Sequence, residues 1–436
     1  MIEIFYIITE ILFIITIFSL PIILVDKNYY VNSLKLNLID KLSINLIILV
    51  NVLFLFSILN IHTKYFLYLY FLVLFFLILF NYKKINLKNI KINYFLIFLL
   101  FFTFLLSIDL ADQVYLAWDA QRFWFFKTLN FYQNQNIQNL KLFLAPDYPH
   151  LGTFIWSFFW KFPHGEFEYL GRIFYIFIYL LSILSLSVCL KLERLEKIIF
   201  AILLISLTYS YELFSGLQDV VIFSSILFFA RFVYLIFENN QKSNKFFLVL
   251  VLLGLFNLLS LTKNEGIFYG LFLLFSLFLT YNFSKLDKKF IIFGTLLVLF
   301  IRVLIFKYYD IQLDPTYYEI DETATFDIAL LIQKIKTITF YILIYVSQNL
   351  VYLITMPLLV LVIYRCPKIK IINFIIYFFI LNLIFIYLAY MFKLSEVELQ
   401  IKASMKRVIF QTSGFYFLTI IIYINNCLNY KKNIKN

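Results

Sequence analysis

The chain has 436 residues, of which 63% are hydrophobic and only 14% are charged, and its formal net charge is +12. With nine glycines and seven prolines it is neither collagen-like nor disordered in composition, and it is too apolar for a soluble globular protein. Apolar stretches of about 20 residues recur from end to end, each long enough for a helix to cross about 30 Å of hydrocarbon. We therefore expect an all-α polytopic membrane protein.

About thirteen spans are predicted in chain order. They lie near 2–25, 42–61, 65–82, 92–108, 169–190, 198–211, 220–237, 246–262, 266–283, 290–309, 337–364, 371–391 and 408–427. Two long segments lie between them, and their length favours a functional role over a simple connection. The predicted units are N-terminal spans (1–108), an outer segment with interfacial helices and the active site (109–168), central spans (169–309), a second outer segment (310–336) and C-terminal spans (337–436).

The basic residues orient these spans, because Lys and Arg in short loops stay on the cytoplasmic side. With the N-terminus outside, the inner segments hold 21 basic residues, whereas the short outer loops 62–64, 212–219 and 263–265 hold two. The same orientation puts 18 of the 25 acidic residues outside, so carboxylate chemistry is expected there. The positive inner face suits anionic lipid headgroups better than nucleic acid. Membrane lipids are therefore expected partners, and nucleic acid is not.

The cysteines and histidines give no sign of a structural framework. Cys189, Cys366 and Cys427 all fall at or near the predicted inner face, which speaks against a disulfide framework. The three histidines are scattered along the outer side and form no cluster with ligand spacing. No metal site is therefore predicted from them.

The first outer segment contains the stretch VYLAWDAQRFWFFKTL, residues 114–129. A helix over 114–132 would suit the membrane interface, because its side chains are rich in aromatic rings. Asp119 and Arg122 are three residues apart and would be neighbours on such a helix. The pair is either an ordinary surface ion pair, worth little energy, or part of a binding site.

The same segment continues with APDYPHLGTFIWSFFW. Asp147 stands between Pro146 and Pro149, in a rigid turn that fixes its carboxylate and the Tyr148 hydroxyl. This is either a simple turn or a second polar element of the site. The apolar stretch 151–162 is too short to span comfortably, so an interfacial or re-entrant element is expected. Two such elements would enclose a cavity at the membrane surface.

Two further outer turns carry polar residues at the ends of spans. In SGLQDVV, Asp219 begins a helix and can cap its free N–H groups. In LTKNEGIF, Lys263, Asn264 and Glu265 lie between two apolar spans. They either form a polar turn or help to bind a phosphate headgroup at the bilayer edge.

Near the C-terminus, LQIKASMKRVIFQTSGF sets Lys402, Lys406 and Arg407 at the outer start of the last span. Basic residues on this side run against the positive-inside tendency, so an anionic partner is expected. That partner is either a lipid headgroup or one phosphate delivered from the membrane, which Arg407 could bind in a forked contact.

Together these motifs resemble a known family. The WDA of 118–120, DYP of 147–149, LQD of 217–219, LTKNEG of 261–266 and ASMKR of 403–407 follow the order seen in integral-membrane glycosyltransferases of the GT-C superfamily. The likeness spans residues 100–425 and is strongest to the bacterial branch known as dolichyl-phosphate-mannose-protein mannosyltransferase-like. Its most specific pieces are TKNEG and WDA.

The late motif departs from the family. Relatives carry Trp-His, then Thr-Ser, then Asp-Arg, whereas this chain has Leu399, Gln400, Ala403, Ser404, Lys406 and Arg407 at those places. Ser404 and the arginine are retained. The loss of Trp-His puts sugar or acceptor contacts in question more than phosphate binding.

The resemblance implies an inverting sugar transfer from a polyprenyl-phosphate donor, with Asp119 as the base. Arg407 and Lys263 would offset the charge on the leaving phosphate. Substrate binding would also involve Arg122, Asp147, Tyr148, Asn264 and Glu265, with Asp219, Ser404 and Lys402 as secondary candidates. Asp109, Asp112 and Asp147 rival Asp119 as the base. Asp109 and Asp112 could instead hold a divalent ion, but the usual paired-acid spacing is absent, so no metal or other cofactor is predicted.

The resemblance leaves three classes of acceptor open: a lipid-linked glycan, a lipid headgroup or a protein. The family implies a bacterial inner membrane, with the N-terminus outside and the C-terminus in the cytoplasm.

Two alternative functions are a transporter or flippase for a lipid-linked glycan and a glycan polymerase. A transporter predicts charged residues in mid-membrane and two repeated halves. Glu10, Arg231 and Arg302 are the main charges within the predicted spans, and no internal repeat is evident.

Overall fold

The computed structural model describes residues 2–24, 36–81, 93–238, 245–312, 328–366, 369–391 and 397–428. Every regular element in these ranges is helical. Eleven helices are long and apolar enough to cross a membrane, and two shorter apolar helices, Asn264–Thr280 and Leu350–Arg365, accompany them. The chain is thus an all-α, multi-pass membrane protein, as its composition predicts.

The helices of the first half are α1 (Ile2–Leu24), α2 (Leu38–Ile58), α3 (Thr63–Asn81), α4 (Tyr94–Gln113), α5 (Phe125–Tyr132), α6 (Leu151–Lys161), α7 (Glu168–Ser187) and α8 (Arg194–Thr208). Those of the second half are α9 (Asp219–Glu238), α10 (Lys245–Thr262), α11 (Asn264–Thr280), α12 (Lys285–Tyr308), α13 (Ile328–Gln348), α14 (Leu350–Arg365), α15 (Lys370–Met391), α16 (Val397–Ser413) and α17 (Phe417–Ile422). A π-helical turn, Ala120–Trp124, precedes α5.

Two helices form the centre of the bundle. The most apolar stretch of α7 is 100% buried and that of α9 is 94% buried, and the two pack against each other. By contrast, only 17% of the corresponding stretch of α12 and 11% of that of α13 are buried. Apolar side chains on these outer helices can face lipid, where no water would penalise their exposure. Helices α4 and α6, which border or belong to the segment 109–168, both pack on α7.

The predicted spans differ from the helices in three places. The predicted span 198–211 corresponds to α8, which has 15 residues and is too short to cross a bilayer unaided. The predicted span 337–364 is broken at Asn349, whose side chain accepts hydrogen bonds from the N–H groups of Val351 and Tyr352 at 3.1 and 3.4 Å and so begins α14. The second outer segment, predicted over 310–336, is shorter, because α13 begins at Ile328. Residues 313–327 of that prediction lie outside the described residues.

The first outer segment also differs from the prediction. Helix α4 continues to Gln113, and Val114 ends it in the left-handed conformation, with a φ of 36°. The predicted helix over 114–132 therefore starts later. Helix α6 is buried from Leu151 to Trp160 and stacks on its neighbours, with a ring distance of 4.1 Å between Tyr132 and Trp160. It packs inside the protein instead of lying on its surface.

The cysteine prediction is wrong in one respect. Cys366 is disulfide-bonded, whereas Cys189 is free and buried. The end of α14 lies beside Tyr423, because Arg365 donates to the Tyr423 hydroxyl at 3.4 Å. This return of the chain brings distant segments together, which spacing in the sequence could not show.

A buried ion pair joins α2 to α9. The Arg231 guanidinium donates to both carboxylate oxygens of Asp40 at 2.7 and 2.8 Å, and both side chains are at least 95% buried. Asp40→Asn is expected to lower the free energy of unfolding by about 3–5 kcal/mol, because it leaves a buried guanidinium unpaired. Thermal unfolding of the purified protein in detergent measures this effect.

The exposed pair of Lys191 and Glu238, at 3.1 Å, is the matched control. Glu238→Gln is expected to cost less than about 1 kcal/mol, because water already solvates both charges. Equal losses in Asp40→Asn and Glu238→Gln would show that the buried pair contributes no more than a surface pair.

Candidate active site

Asp119 forms an ion pair with Arg407. Asp119 follows the non-helical residues 114–117, which are held in place where the Ala117 N–H donates to the Ser215 carbonyl at 2.9 Å. Its Oδ2 atom contacts a terminal nitrogen of Arg407 on α16, and the side chains are 26% and 30% exposed. The expected partner Arg122 instead lies over the Trp118 ring, 5.4 Å from its centre. The proposed base and the proposed phosphate ligand are therefore in direct contact.

Asp219 and Lys263 form a second, buried pair beside the first. Their Oδ1 and Nζ atoms are 3.1 Å apart, and Lys263 also approaches Glu265 at 3.7 Å. The Gln411 amide donates to the same Oδ1 atom of Asp219. Burial disfavours the charged amine, but the two carboxylates outweigh it and raise the pKa of Lys263. Asp219 thus does more than begin α9, since it holds α11 and α16 together.

Asn264 links this region to the turn that carries Asp147. Its Nδ2 atom donates to the Asp147 carboxylate at 3.3 Å, and its Oδ1 atom accepts from Arg302. Arg302 is buried on α12 and also donates to the Ser260 carbonyl. A buried cation inside a span needs such partners. The polar turn of 263–265 is therefore shared by two networks, one around Asp219 and one around Asp147.

Lys127 fixes the Asp147 turn from the other side. Its side chain is fully buried and its Nζ atom donates to the carbonyls of Ala145 at 2.6 Å and Tyr148 at 3.0 Å. The Tyr148 ring stacks on Trp124 with 5.5 Å between centres. Burial lowers the pKa of Lys127 to about 7, against the opposing pull of Asp147. This amine therefore titrates near neutral pH while remaining a donor in both forms.

Stability is expected to depend on pH through Lys127. Between about pH 7 and its ordinary pKa of 10.5, unfolded Lys127 binds a proton that the folded residue lacks, so the free energy of unfolding rises with pH. Below pH 7 both states are protonated and the contribution is flat. The slope approaches about 1.4 kcal/mol per pH unit at most. Thermal unfolding across this range should show a smaller slope in Lys127→Met than in the unmodified protein, whereas exposed Lys191→Met should leave the slope unchanged. Equal slopes in Lys127→Met and the unmodified protein would contradict the assignment.

His150 is a structural residue next to this turn. Burial, with nearby Lys127 and Arg302, lowers its pKa to about 3, so the imidazole is neutral at physiological pH. Its Nε2 atom lies 2.9 Å from the Ser57 hydroxyl on α2. It therefore links the segment 109–168 to α2 without carrying charge.

An open cavity of about 180 Å³ borders the cluster. It lies between the end of α8 and the start of α9, opposite the break between α13 and α14. Helix α16 forms one of its walls. Asp219 and Arg407 line it, and Asp119 contacts Arg407 without lining the cavity itself. The other polar lining residues are Thr208, Ser210, Tyr345, Gln348, Asn349 and Lys406. Charged groups of both signs and apolar membrane helices thus meet at one opening.

Of the three acidic rivals of Asp119, Asp109 and Asp112 lie apart from this cluster, whereas Asp147 contacts Asn264. Asp109 and Asp112 are on the last turns of α4, where Asp109 accepts from the Tyr209 hydroxyl and Asp112 is exposed. Within the described ranges no three His, Cys, Asp or Glu residues gather where they could hold a metal ion. The structure therefore gives this pair no role at the cavity.

Two residues of the late motif also point elsewhere. Lys402 pairs with exposed Glu398 at 2.7 Å, and Ser404 lies 2.8 Å from the Tyr390 hydroxyl on α15. Neither lines the cavity, although both lie on α16 with Arg407.

Arg172 is a residue of the site that the motifs did not reveal. It is fully buried at the start of α7, and its Nε and Nη2 atoms donate to Glu168 at 2.9 and 3.0 Å. Its Nη1 atom donates to the carbonyls of Tyr115 at 2.8 Å and Phe214 at 2.9 Å. One guanidinium thus ties together the segments that lead to Asp119 and Asp219. The only sequence signal was the spacing of four between Glu168 and Arg172.

Comparison with known proteins places the chain in no family. No family model matches it, and neither a curated protein nor a solved structure shows significant similarity to it. A function must therefore be inferred from the residues and distances given above.

Proposed function

We propose that the chain is a membrane glycosyltransferase that moves a sugar from a polyprenyl-phosphate donor to an acceptor hydroxyl at the extracytoplasmic face. The observation that carries this proposal is the contact between Asp119 and Arg407 beside an open cavity. The carboxylate can accept a proton, and the guanidinium can bind a phosphate in a forked contact. Membrane helices around the cavity offer an apolar surface for the polyprenyl tail.

In the proposed reaction the acceptor hydroxyl attacks the anomeric carbon from the side opposite the phosphate. Asp119 takes the hydroxyl proton as the new carbon–oxygen bond forms. The bond between the anomeric carbon and the phosphate oxygen breaks, and its electron pair leaves with polyprenyl phosphate. Arg407 offsets the charge on that phosphate, with Lys263 and Lys406 nearby. The configuration at the sugar is therefore inverted.

The ion pair also suggests how the site is kept inactive without donor. In the structure Asp119 and Arg407 neutralise each other. A donor phosphate would compete for the guanidinium and release the carboxylate to act as a base. Substrate binding and activation of the base are then one event, which limits wasteful proton transfer at an empty site.

The order of WDA, DYP, LQD, TKNEG and ASMKR, which resembles the GT-C superfamily, supports the same proposal. All five motifs bring residues into the two connected networks: Asp119, Asp147, Asp219, Lys263, Asn264 and Arg407. Motifs far apart in sequence would have no reason to meet if each were an independent turn or cap.

A transporter for a lipid-linked glycan is the second candidate. Glu10 is fully buried on α1, and neither of its carboxylate oxygens has a hydrogen-bond partner within the described part of the chain. The buried pair of Asp40 and Arg231 adds charges within the helix bundle. Charges of this kind are typical of transport pathways. These buried charges favour transport, but they do not account for the cluster of Asp119, Arg407, Asp219 and Lys263.

The purified protein, reconstituted in vesicles with a labelled polyprenyl-phosphate monosaccharide and a membrane lipid extract, distinguishes these functions. Covalent transfer of the label supports the glycosyltransferase. Movement of the intact donor across the bilayer supports a transporter, and joining of two lipid-linked oligosaccharides supports a polymerase. Absence of covalent transfer with donors of several sugars would refute the proposal.

The proposed orientation requires residues 109–168 to face away from the cytosol, as in a bacterial inner membrane with the N-terminus outside. Glu166 is exposed in this segment. Glu166→Cys should react with a membrane-impermeant thiol reagent in intact cells. Labelling only after the cells are opened would place the site in the cytosol and remove the basis for the proposed donor.

A further inference from the structure

We infer that the sugar acceptor is a membrane lipid with a phosphate, and that an exposed face formed by Trp118, Arg122 and Phe126 binds it beside Asp119. The inference rests on the proposed function and deepens it, because it names the class of acceptor. The required chemistry is an apolar tail, a phosphate and a free hydroxyl. A phospholipid with a hydroxylated headgroup and a lipid-linked glycan both have these groups, whereas a protein acceptor does not.

Helical spacing puts the three residues of the exposed face on one side of the chain. Residues 118–132 are helical without a break. Trp118, Arg122 and Phe126 follow one another at intervals of four, and all three are exposed, Trp118 by 62% and Phe126 by 48%. The other side of the same helical stretch is buried in the protein. The exposed face is therefore a surface with two large rings and one cation.

Arg122 is a cation without an acidic partner. Its guanidinium lies over the Trp118 ring, 5.4 Å from the ring centre. No carboxylate in the part of the chain that the structure describes pairs with it, in contrast to Arg407, which pairs with Asp119. An arginine can bind a phosphate through two N–H groups while the flat side of its guanidinium stacks on an aromatic ring. The exposed face thus offers a phosphate site separate from Arg407.

The rings beside Arg122 suit the apolar part of a lipid. Exposed tryptophan and phenylalanine next to a cation are typical of surfaces that lie at the level of lipid headgroups. The Trp118 ring is held in place, because it meets the buried Phe123 ring edge-on with 5.9 Å between centres. The Phe123 ring in turn meets that of Tyr148, with 6.1 Å between centres. A surface fixed in this way binds a ligand without a large cost in ordering its own side chains.

The position of the exposed face identifies its ligand as the acceptor. Trp118 precedes Asp119 in the chain, and the Asp119 side chain is 26% exposed. A hydroxyl that gives its proton to this carboxylate must come within about 3 Å of it. In the proposed reaction the donor phosphate binds Arg407, so Arg122 is left for the acceptor. A separate cation for each phosphate also offsets the repulsion between two anionic lipids.

Quenching of tryptophan fluorescence by brominated lipids tests the contact without any transfer reaction. The chain has four tryptophans, and Trp118 is 62% exposed, whereas Trp124, Trp156 and Trp160 are 2%, 0% and 8% exposed. The purified full-length protein is placed in phosphatidylcholine vesicles that contain a minor share of brominated phosphatidylglycerol or of brominated phosphatidylcholine. Brominated phosphatidylglycerol should quench more strongly. Trp118→Phe should remove most of that quenching.

The preference for the anionic lipid should depend on Arg122. Arg122→Gln should quench equally with both brominated lipids, whereas Arg194→Gln, which removes an exposed arginine elsewhere, should keep the preference. Unlabelled phosphatidylglycerol and a polyprenyl-diphosphate oligosaccharide are then added in turn as competitors. The competitor that relieves quenching at the lower concentration identifies the source of the phosphate. Equal quenching of the unmodified protein by both brominated lipids, or none by either, would overturn the inference.

Steady-state transfer tests the role of the exposed face in acceptor binding. Arg122→Gln should raise the KM for the lipid acceptor by about tenfold, because a charged hydrogen-bond donor to the phosphate is lost. The KM for the polyprenyl-phosphate donor and kcat should change little, and Arg194→Gln should change none of these values. Transfer to a hydroxylated peptide with no lipid acceptor present would overturn the inference in favour of a protein acceptor.

The two proposals can fail separately. Covalent transfer with an unchanged acceptor KM in Arg122→Gln would keep the glycosyltransferase and reject the lipid site as the acceptor site. Quenching that depends on Arg122, without covalent transfer to any acceptor, would reject the enzyme and the acceptor role together while the contact with an anionic lipid stands.

Discussion

Asp119→Asn is expected to lower the rate of sugar transfer by about 10²–10⁴-fold, the usual contribution of a general base. The amide keeps the size of the side chain, so the fold should be preserved, but it cannot accept the acceptor proton. Steady-state transfer from a labelled polyprenyl-phosphate monosaccharide measures the effect. Glu166→Gln is the matched control, because it neutralises an exposed acid of the same outer segment.

The contact with Arg407 gives this prediction a second readout. Asp119→Asn removes the negative charge that occupies the guanidinium, so binding of polyprenyl phosphate should be kept or tightened. Arg407→Lys should do the reverse, since lysine keeps the charge but loses the forked geometry that matches a phosphate. A fall in kcat with unchanged phosphate affinity would identify Asp119 as the base. Full activity in Asp119→Asn would remove it from the mechanism and return attention to Asp147.

Hydropathy predicts the helical architecture because, in a bilayer, the backbone N–H and C=O groups must form their hydrogen bonds within the protein. The spans that became α1 to α4, α7, α9 and α10 were predicted within a few residues. The break at Asn349 was missed because both flanking sequences are apolar, so only the capping geometry of its side chain reveals it. The length of α16 was missed for the opposite reason: its first turns are polar and did not look like part of a span.

The site was predicted as a set of residues but not as an arrangement. Motif order placed Asp119 and Arg407 in one hypothesis, yet only packing shows that they touch. The helical spacing of Asp119 and Arg122 suggested a local pair, but the backbone between α4 and α5 turns the carboxylate toward α16. A spacing of three predicts neighbours on an α-helix, but here Ala120–Trp124 is a π-helical turn.

Long-range contacts made by buried side chains could not be read from the sequence. Lys127 lies in an aromatic stretch that suggested a surface helix, yet it is buried and donates to carbonyls that lie 18 and 21 residues away. Gln411 reaches Asp219 across 192 residues. No periodicity relates such positions, because the partners are defined by how α5, α9 and α16 pack.

Arg172→Gln is expected to have the other large effect. It removes two hydrogen bonds to Glu168 and two to backbone carbonyls, all within the protein interior. Leaving Glu168 unpaired should cost about 3–5 kcal/mol in the free energy of unfolding. The Tyr115 and Phe214 carbonyls would also lose the donor that holds their segments together. Transfer should fall by up to about 10²-fold, because small displacements of reacting groups are costly.

A double variant separates these two roles of Arg172. In Arg172→Gln with Glu168→Gln the unpaired carboxylate is gone, so thermal unfolding in detergent should recover much of the lost stability. Transfer should remain low, since neither glutamine restores the link between the segments that carry Asp119 and Asp219. Exposed Arg194→Gln is the control for loss of an arginine charge and should change neither quantity. If transfer recovers in step with stability, Arg172 supports only the fold. If transfer stays low in a stable protein, the Arg172 guanidinium positions the carboxylates of Asp119 and Asp219 relative to Arg407.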